Sequence, residues 1–325
     1  MPNLRQNIIT GEWVVIAPER AKRPEDFVIE KKEKTKEMPK DCPFCVPGPA
    51  YQTKIIETPN IYVIPNKFPS FIPEDAILEQ GGDLYPSYKA LGYHEVVILK
   101  NHLVDLQDIS VAVMDELFYL YQERIKKHLQ DAAVEYSMVI QNHGEDSGAS
   151  IGHPHSQIFA SSILPTYISR EFKGAKKYFR EHKNCVFCDL VKFEKEKAAR
   201  IVLENNTYIA FCFFAARFPF EIWILPKNHQ NYFEQIGKSL RIGLAQIMSS
   251  ILKLLDRKLH DPAYNFFIHT SPPEEYGGKE FYHWHIEITP RLSKYGGYEL
   301  GSGTIIDIVS PEKAAWFFNN DQMES

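Results

Sequence analysis

The chain carries the same series of motifs twice. A C-x-x-C pair opens each series, Cys42-Pro43-Phe44-Cys45 and Cys185-Val186-Phe187-Cys188. Strand-like apolar runs follow, and each series has one ending in Lys-Asn-His, at Lys100-Asn101-His102 and at Lys227-Asn228-His229. An amphipathic helix, a strand and a loop then lead to His153-Pro154-His155 and to His283-Trp284-His285. The spacing from the Lys-Asn-His histidine to the first histidine of the pair is 51 residues in one series and 54 in the other. A repeat of this length means that one supersecondary unit is built twice. The 325 residues are therefore expected to form two halves, 1–165 and 166–325. Each series combines short strands with a long helix, so both helix and sheet are expected in each half.

Local signals fill in the rest. A strand pair is expected over 8–16 around Thr10-Gly11, and a charged, solvated loop over 18–40. The Gly-rich segment 293–303 reads as a loop, and 311–318 as a short helix. The net charge is −5, which gives no ground for a nucleic-acid binder. No apolar run approaches the about 20 residues of a membrane span, and residues 1–6 lack the apolar core of a signal peptide. The expected location is the cytoplasm. There, paired cysteines favour metal or redox roles over structural disulfides.

Zinc takes four nitrogen or sulfur ligands in a tetrahedron. Cys42, Cys45, His102 and His153 supply one such set, and Cys185, Cys188, His229 and His283 a second. Both sets are closed, with no position left for water, so two structural zinc ions per chain are expected. Cys212, between Phe211 and Phe213, reads as a buried core thiol.

The stretch after Gly148-Ala149-Ser150 carries the reactive chemistry. His153, His155 and Gln157 alternate on what reads as a strand, so they share one face. With His153 spent on metal, His155 is either a nucleophile towards phosphorus, another satisfied histidine, or a second ligand. A neutral imidazole is competent for such an attack. Gln157, Ser150 and the loop amides stand where donors to phosphoryl oxygens are needed. In the second series His285 matches His155, but Glu287 replaces Gln157 and the Gly-Ala-Ser loop is missing. The second copy therefore reads as non-catalytic, with His285 structural or a contact to phosphate or sugar.

His153-Pro154-His155-Ser156-Gln157 resembles the His-x-His-x-Gln of the transferase branch of the histidine-triad superfamily. From Trp13 to Gly296-Gly297-Tyr298-Glu299-Leu300-Gly301-Ser302-Gly303, the chain resembles the galactose-1-phosphate uridylyltransferase family. The resemblance implies an α+β fold of two tandem histidine-triad-like halves, with antiparallel sheets flanked by helices, and a homodimer whose active sites combine both subunits. It also implies a two-step exchange of UMP between UDP-glucose and galactose 1-phosphate through a uridylylated His155. Gln157 would bond the transferred phosphoryl. Asn142 and Ser150 would contact the nucleotide phosphates, Asn66 and Phe68 would lie near base and ribose, and Tyr298 and Glu299 near the hexose. A second C-x-x-C, in place of the His- and Glu-rich second metal site of some members, is shared with relatives that phosphorolyse ADP-glucose. An ADP-glucose phosphorylase using the same histidine is the alternative reading.

Overall fold

The computed structural model describes residues 1–20, 41–73 and 84–320. Most of the expected loop over 18–40 thus lies outside the described residues. Two sheets organise what is described. The larger has ten strands: β3 (Ile56–Glu57), β4 (Ile61–Pro65), β5 (Gly92–Leu99), β6 (Tyr136–His143), β7 (His155–Ser161), β8 (Ile201–Glu204), β9 (Tyr208–Cys212), β10 (Ile222–Pro226), β11 (Tyr264–His269) and β12 (His285–Pro290). Their spatial order is β3-β4-β5-β7-β6-β11-β12-β10-β9-β8, with every pairing antiparallel. Read from its outer edge inward, each half has the same strand order. The halves meet where β6 pairs with β11. The smaller sheet joins β1 (Asn3–Gln6), β2 (Trp13–Ile16) and β13 (Ile305–Asp307).

Helices α1 (Val111–His128) and α4 (Lys238–Leu259) occupy corresponding places in the two halves. Ser110 caps α1, its hydroxyl accepting the Val113 amide at 3.3 Å, and Lys126, Lys127 and His128 fill the last turn. Both helices bury apolar stripes on one face of the large sheet, against Val97, Val139, Ile158, Ile222 and Ile286. This is the main core.

The opposite face is treated differently in the two halves. Over β9, β10 and β12 it is roofed by α2 (Thr166–His182), α3 (Val186–Lys197) and the β1–β2 hairpin. Phe172, Ala175, Phe187 and Val191 pack there on Phe211, Trp223 and Leu225. The hairpin lies so close to α2 that a Cβ at Gly174 would sit 1.6 Å from the Ile9 carbonyl oxygen. Over the first half, among the described residues, the segment bearing Cys42 and Cys45 covers the sheet through Phe44 and Tyr51, joined by Ile151 of the loop before β7, on Tyr62, Ile64, Val96 and Ile98. The rest of that face, at β7 and β6, stays half-exposed.

Several elements differ from expectation. Ile8 lies outside the hairpin strands, because Asn7 Oδ1 accepts the amides of Ile9 (2.9 Å) and Thr10 (3.2 Å) and starts the turn early. The second C-x-x-C is not a free turn: Cys185 is the N-cap of α3. The 293–303 segment contains the short helix α5 (Gly297–Ser302), where Glu299 Oε2 accepts the Gly296 amide at 2.9 Å. The helix expected over 311–318 is α6 (Pro311–Asn319). Among the described residues no helix is long and apolar enough to cross a membrane.

Candidate active site and metal centres

The fold gathers each predicted ligand set. The ligand-type atoms of Cys42, Cys45, His102 and His153 all lie within 4.8 Å of one another, as do those of Cys185, Cys188, His229 and His283. In the first set Cys42 Sγ is 3.4 Å from His153 Nδ1, Cys45 Sγ is 3.4 Å from His102 Nδ1, and the two Nδ1 atoms are 2.9 Å apart. The edges of a tetrahedron around zinc, with bonds of about 2.0–2.3 Å, run to about 3.3–3.8 Å. The donors thus stand close to where one ion would hold them. His153 Nε2 faces the Leu99 carbonyl at 2.5 Å. That contact puts the ring proton on Nε2 and the Nδ1 lone pair towards the cysteines. Burial lowers His153 to about 4, so the ring is neutral, as a ligand must be. In the second set His229 Nε2 faces the Lys279 carbonyl at 2.9 Å, and Cys188 Sγ is 3.3 Å from His229 Nδ1. Cys188 is held well below the ordinary thiol range, first by its contact with Cys185 and then by His229 and His283. One thiolate is therefore favoured there.

His153 lies just before β7, and the strand begins at His155. His155 and Gln157 point to the open face, each half-exposed. His155 Nδ1 is 2.8 Å from the carbonyl of His153. A carbonyl only accepts, so the ring proton is on Nδ1 and the Nε2 lone pair is available. Burial keeps the ring below the ordinary histidine range, against the opposing effect of that bond. Phe44, inside the first C-x-x-C, packs edge-on against His155 with centroids 5.2 Å apart. The first ligand set therefore touches the His155 ring twice, through the His153 carbonyl and through Phe44.

Next to Gln157 stands His94 of β5, which sequence reasoning passed over. Its Nε2 is 2.8 Å from Gln157 Oε1, its Nδ1 accepts the Ser70 amide at 3.1 Å, and Asn66 Nδ2 lies 3.1 Å from Nε2. The signal was available: a polar pair, His94-Glu95, interrupts an otherwise apolar strand, and Glu95 is taken by Arg124 on the other face at 2.6 and 2.8 Å. Asn142, on the next strand, is joined to the second half: Asn265 Nδ2 donates to Asn142 Oδ1 (2.7 Å) and to the Ser147 carbonyl (2.9 Å). Asn265 thereby steadies the loop that delivers Ser150. Gly144 and Gly148 give that loop its reversals, with φ of 79° and 88°.

Gln157 and Asn66 both lie against His94 Nε2, at 2.8 and 3.1 Å, on the face that carries His155. Phe68 is 79% exposed beside it, and Ser150 is exposed on its loop. Tyr298 and Glu299 are elsewhere. They line a hollow of about 550 Å³ with Val15 and Ile306 of the small sheet, and no described contact joins them to His155 or Gln157.

The second His-x-His lies beneath the roof. Glu287 and Gln157 share one cross-strand row, Gln157–Ile140–Phe267–Glu287, about 14 Å apart at roughly 4.8 Å per strand. Yet His285 and Glu287 are both 0% exposed. His285 stacks on Trp223 at 4.8 Å and its Nε2 is 3.2 Å from Glu171 of α2. Glu287 takes an ion pair from Arg217. Burial works against charge on His285, but Glu171 and Glu287 outweigh it and push the ring up to about 10. His285 is structural: no substrate reaches it.

The comparisons agree with this architecture. Residues 1–165 match the model of the galactose-1-phosphate uridyl transferase N-terminal domain, and residues 171–305 that of its C-terminal domain. The chain is 31% identical to an ADP-glucose phosphorylase of Arabidopsis thaliana, over 97% of this chain and 91% of that one. It is 28% identical to a galactose-1-phosphate uridylyltransferase of Thermotoga maritima, over the full length of both. A crystal structure of an Arabidopsis thaliana ADP-glucose phosphorylase with bound ADP-glucose superposes with a TM-score of 0.83 at 30% identity, covering 99% of this chain and 100% of that one.

Proposed function

Because the chain belongs to the galactose-1-phosphate uridyl transferase family, we propose that it exchanges UMP between UDP-glucose and galactose 1-phosphate through a covalent nucleotidyl-His155. The observation that carries the reading is the ring of His155: its Nδ1 is committed to the His153 carbonyl at 2.8 Å, and its Nε2 is unprotonated on the open face.

In the first displacement Nε2 attacks the α-phosphorus of UDP-glucose. An N–P bond forms, the P–O bond to glucose 1-phosphate breaks, and that phosphate leaves with the electron pair. In the second, a phosphate oxygen of galactose 1-phosphate attacks the same phosphorus and the N–P bond breaks, giving UDP-galactose and the neutral imidazole. Neither step requires a proton transfer, because the leaving groups are a phosphate and an imidazole. While the nucleotidyl group is attached the ring is cationic, and the hydrogen bond to the His153 carbonyl stabilises that charge. Gln157 is a donor to the phosphoryl oxygens, and Asn142 and Ser150 to the nucleotide phosphates. Asn66 and Phe68 border the nucleoside.

Cys42, Cys45, His102 and His153 would hold one zinc, and Cys185, Cys188, His229 and His283 a second. The ions serve as structural ties and take no part in the displacements. A hexose role for Tyr298 and Glu299 requires that a second copy bring them to His155, so the working unit is a homodimer. Reduced cysteine pairs of this kind suit the cytoplasm.

A second reading keeps His155 and replaces galactose 1-phosphate by inorganic phosphate and uridine by adenosine. The similarity to an ADP-glucose phosphorylase over 97% of this chain favours it. Labelling decides. The protein is incubated without acceptor, separately with UDP-glucose and ADP-glucose labelled in the nucleotide. Labelling by UDP-glucose, lost in His155→Ala, supports the uridylyl reading. Labelling by ADP-glucose alone moves the assignment to the phosphorylase, and labelling by neither rejects both.

A further inference from the structure

Ser70, His94 and Gln157 form a directed chain of hydrogen bonds that starts at a main-chain group. The Ser70 amide can only donate, and it lies 3.1 Å from His94 Nδ1. Nδ1 therefore holds the lone pair, and the proton of the neutral ring is on Nε2. Nε2 is 2.8 Å from Gln157 Oε1, so the ring donates and the carboxamide oxygen accepts. The carboxamide nitrogen is left with no hydrogen-bond partner among the described residues. Asn66 follows the same rule. Its Oδ1 accepts the Phe68 amide at 2.9 Å, so its Nδ2, 3.1 Å from His94 Nε2, is a second donor beside the ring. With the one lone pair of the neutral ring taken by the Ser70 amide, that contact is no hydrogen bond, and the Nε2 proton goes to Gln157, the nearer partner. His94 itself is 7% exposed and stacks on Phe159 with centroids 4.0 Å apart. Burial lowers its proton affinity, with the Gln157 bond working in the opposite sense.

A glutamine carboxamide is nearly symmetric in shape, so nothing in its packing distinguishes nitrogen from oxygen. Turned the wrong way, it would set lone pairs against the oxygens of a phosphoryl group. We propose that His94 is a positioning residue that locks Gln157 in its donor orientation towards the transferred phosphoryl group. The inference rests on the nucleotidyl-transfer reading above. It deepens that reading by naming what aims the glutamine.

Two measurements test it. The first is the nitrogen chemical shifts of the His94 ring in the full-length, metal-loaded protein without substrate. They should report a neutral ring protonated on Nε2, whatever the protein's activity. A ring protonated on Nδ1, or a cationic ring at neutral pH, overturns the proposal. The second is the single-turnover rate of His155 labelling by the nucleotide sugar that labels the wild type. His94→Phe keeps the stack on Phe159 and removes both bonds. It should slow labelling by about 10–100-fold while affinity for the free nucleotide changes by less than about threefold. His94→Gln, which retains an N–H at similar reach, should recover most of that rate. In a Gln157→Ala background, His94→Phe should cost almost nothing more, because the two act as a unit. Equal losses in the two backgrounds, or an unaltered rate in His94→Phe, overturn the proposal. Failure of the wild type to label with either sugar overturns the nucleotidyl-transfer reading instead, and the ring measurement still decides what His94 does.

Discussion

His155 and His285 are the same residue type at equivalent positions, and their surroundings give them opposite properties. One ring lies below the ordinary histidine range and faces outward. The other is charged, enclosed and paired with Glu171 and Glu287. The difference extends to their neighbours. Gln157 keeps a carboxamide nitrogen for a ligand, whereas Glu287 is neutralised by Arg217. Glu287→Gln should therefore give no activity to the second copy. It should destabilise the fold by about 1–3 kcal/mol, because it takes from Arg217 its nearer buried carboxylate and leaves it Glu221 at 4.0 Å. Chemical denaturation checks this, and an unchanged midpoint would show that Arg217 finds compensation elsewhere. The shared face of His155 and Gln157 was legible in the sequence, because side chains two residues apart on a strand point the same way. The burial of His285 was not legible, because Glu171 is 114 residues away in sequence and its approach depends on how α2 docks.

The two C-x-x-C elements differ in what they touch. The first abuts the reactive ring through Phe44 and the His153 carbonyl. The second starts α3 and sits at the edge of the roof. Cys42→Ser and Cys185→Ser should each lower the metal content from two ions per chain to one. Cys42→Ser should reduce the labelling rate by at least about tenfold. Cys185→Ser should leave that rate within about threefold and mainly lower the melting temperature, since metal-binding energy is folding energy. Metal analysis paired with melting curves and labelling rates checks the contrast, and equal rate losses would contradict it. The long elements were readable from periodicity: β5 and β10 are the apolar runs that lead to Lys-Asn-His, and α1 and α4 the amphipathic helix expected in each series. α3 was hidden because it begins at the second C-x-x-C, whose cysteines read as metal ligands. β3 and β8, with two and four residues, are too short to show a period.

At the scale of the whole chain, the ends are clasped together. Arg5 of β1 donates to both Glu312 oxygens, at 2.9 and 3.0 Å, and Arg200 adds a bond at 2.9 Å. Burial raises the Glu312 pKa, but the two arginines outweigh it and the net shift is downward from 4.5. The unfolded chain therefore takes up the proton first as the pH falls. The clasp contributes fully above about 4.5 and is lost as the pH drops towards the folded-state value. The gap in melting temperature between the wild type and Glu312→Gln should be constant from about pH 5.5 to 7 and close below about 4.5. A gap still undiminished at about pH 3 would contradict this assignment. The duplication was plain in the sequence. The joining of its two products into one sheet through β6 and β11 was not, because that pairing links segments more than a hundred residues apart, with no turn to set the register.

The roof over β9, β10 and β12 also acts as a ratchet on the chain's history. The two copies share one plan, and one of them carries two helices and a hairpin over the very surface that the other leaves open. A single reversion, or even rebuilding the whole Gly-Ala-Ser loop before His283, would leave His285 sealed under Glu171 and Phe187. To reopen it, α2 and α3 would have to leave, and Cys185 and Cys188, half of the second ligand set, would go with them. Silence in that half is thus kept by architecture, which makes it far harder to undo than the substitution that first stands out in the sequence.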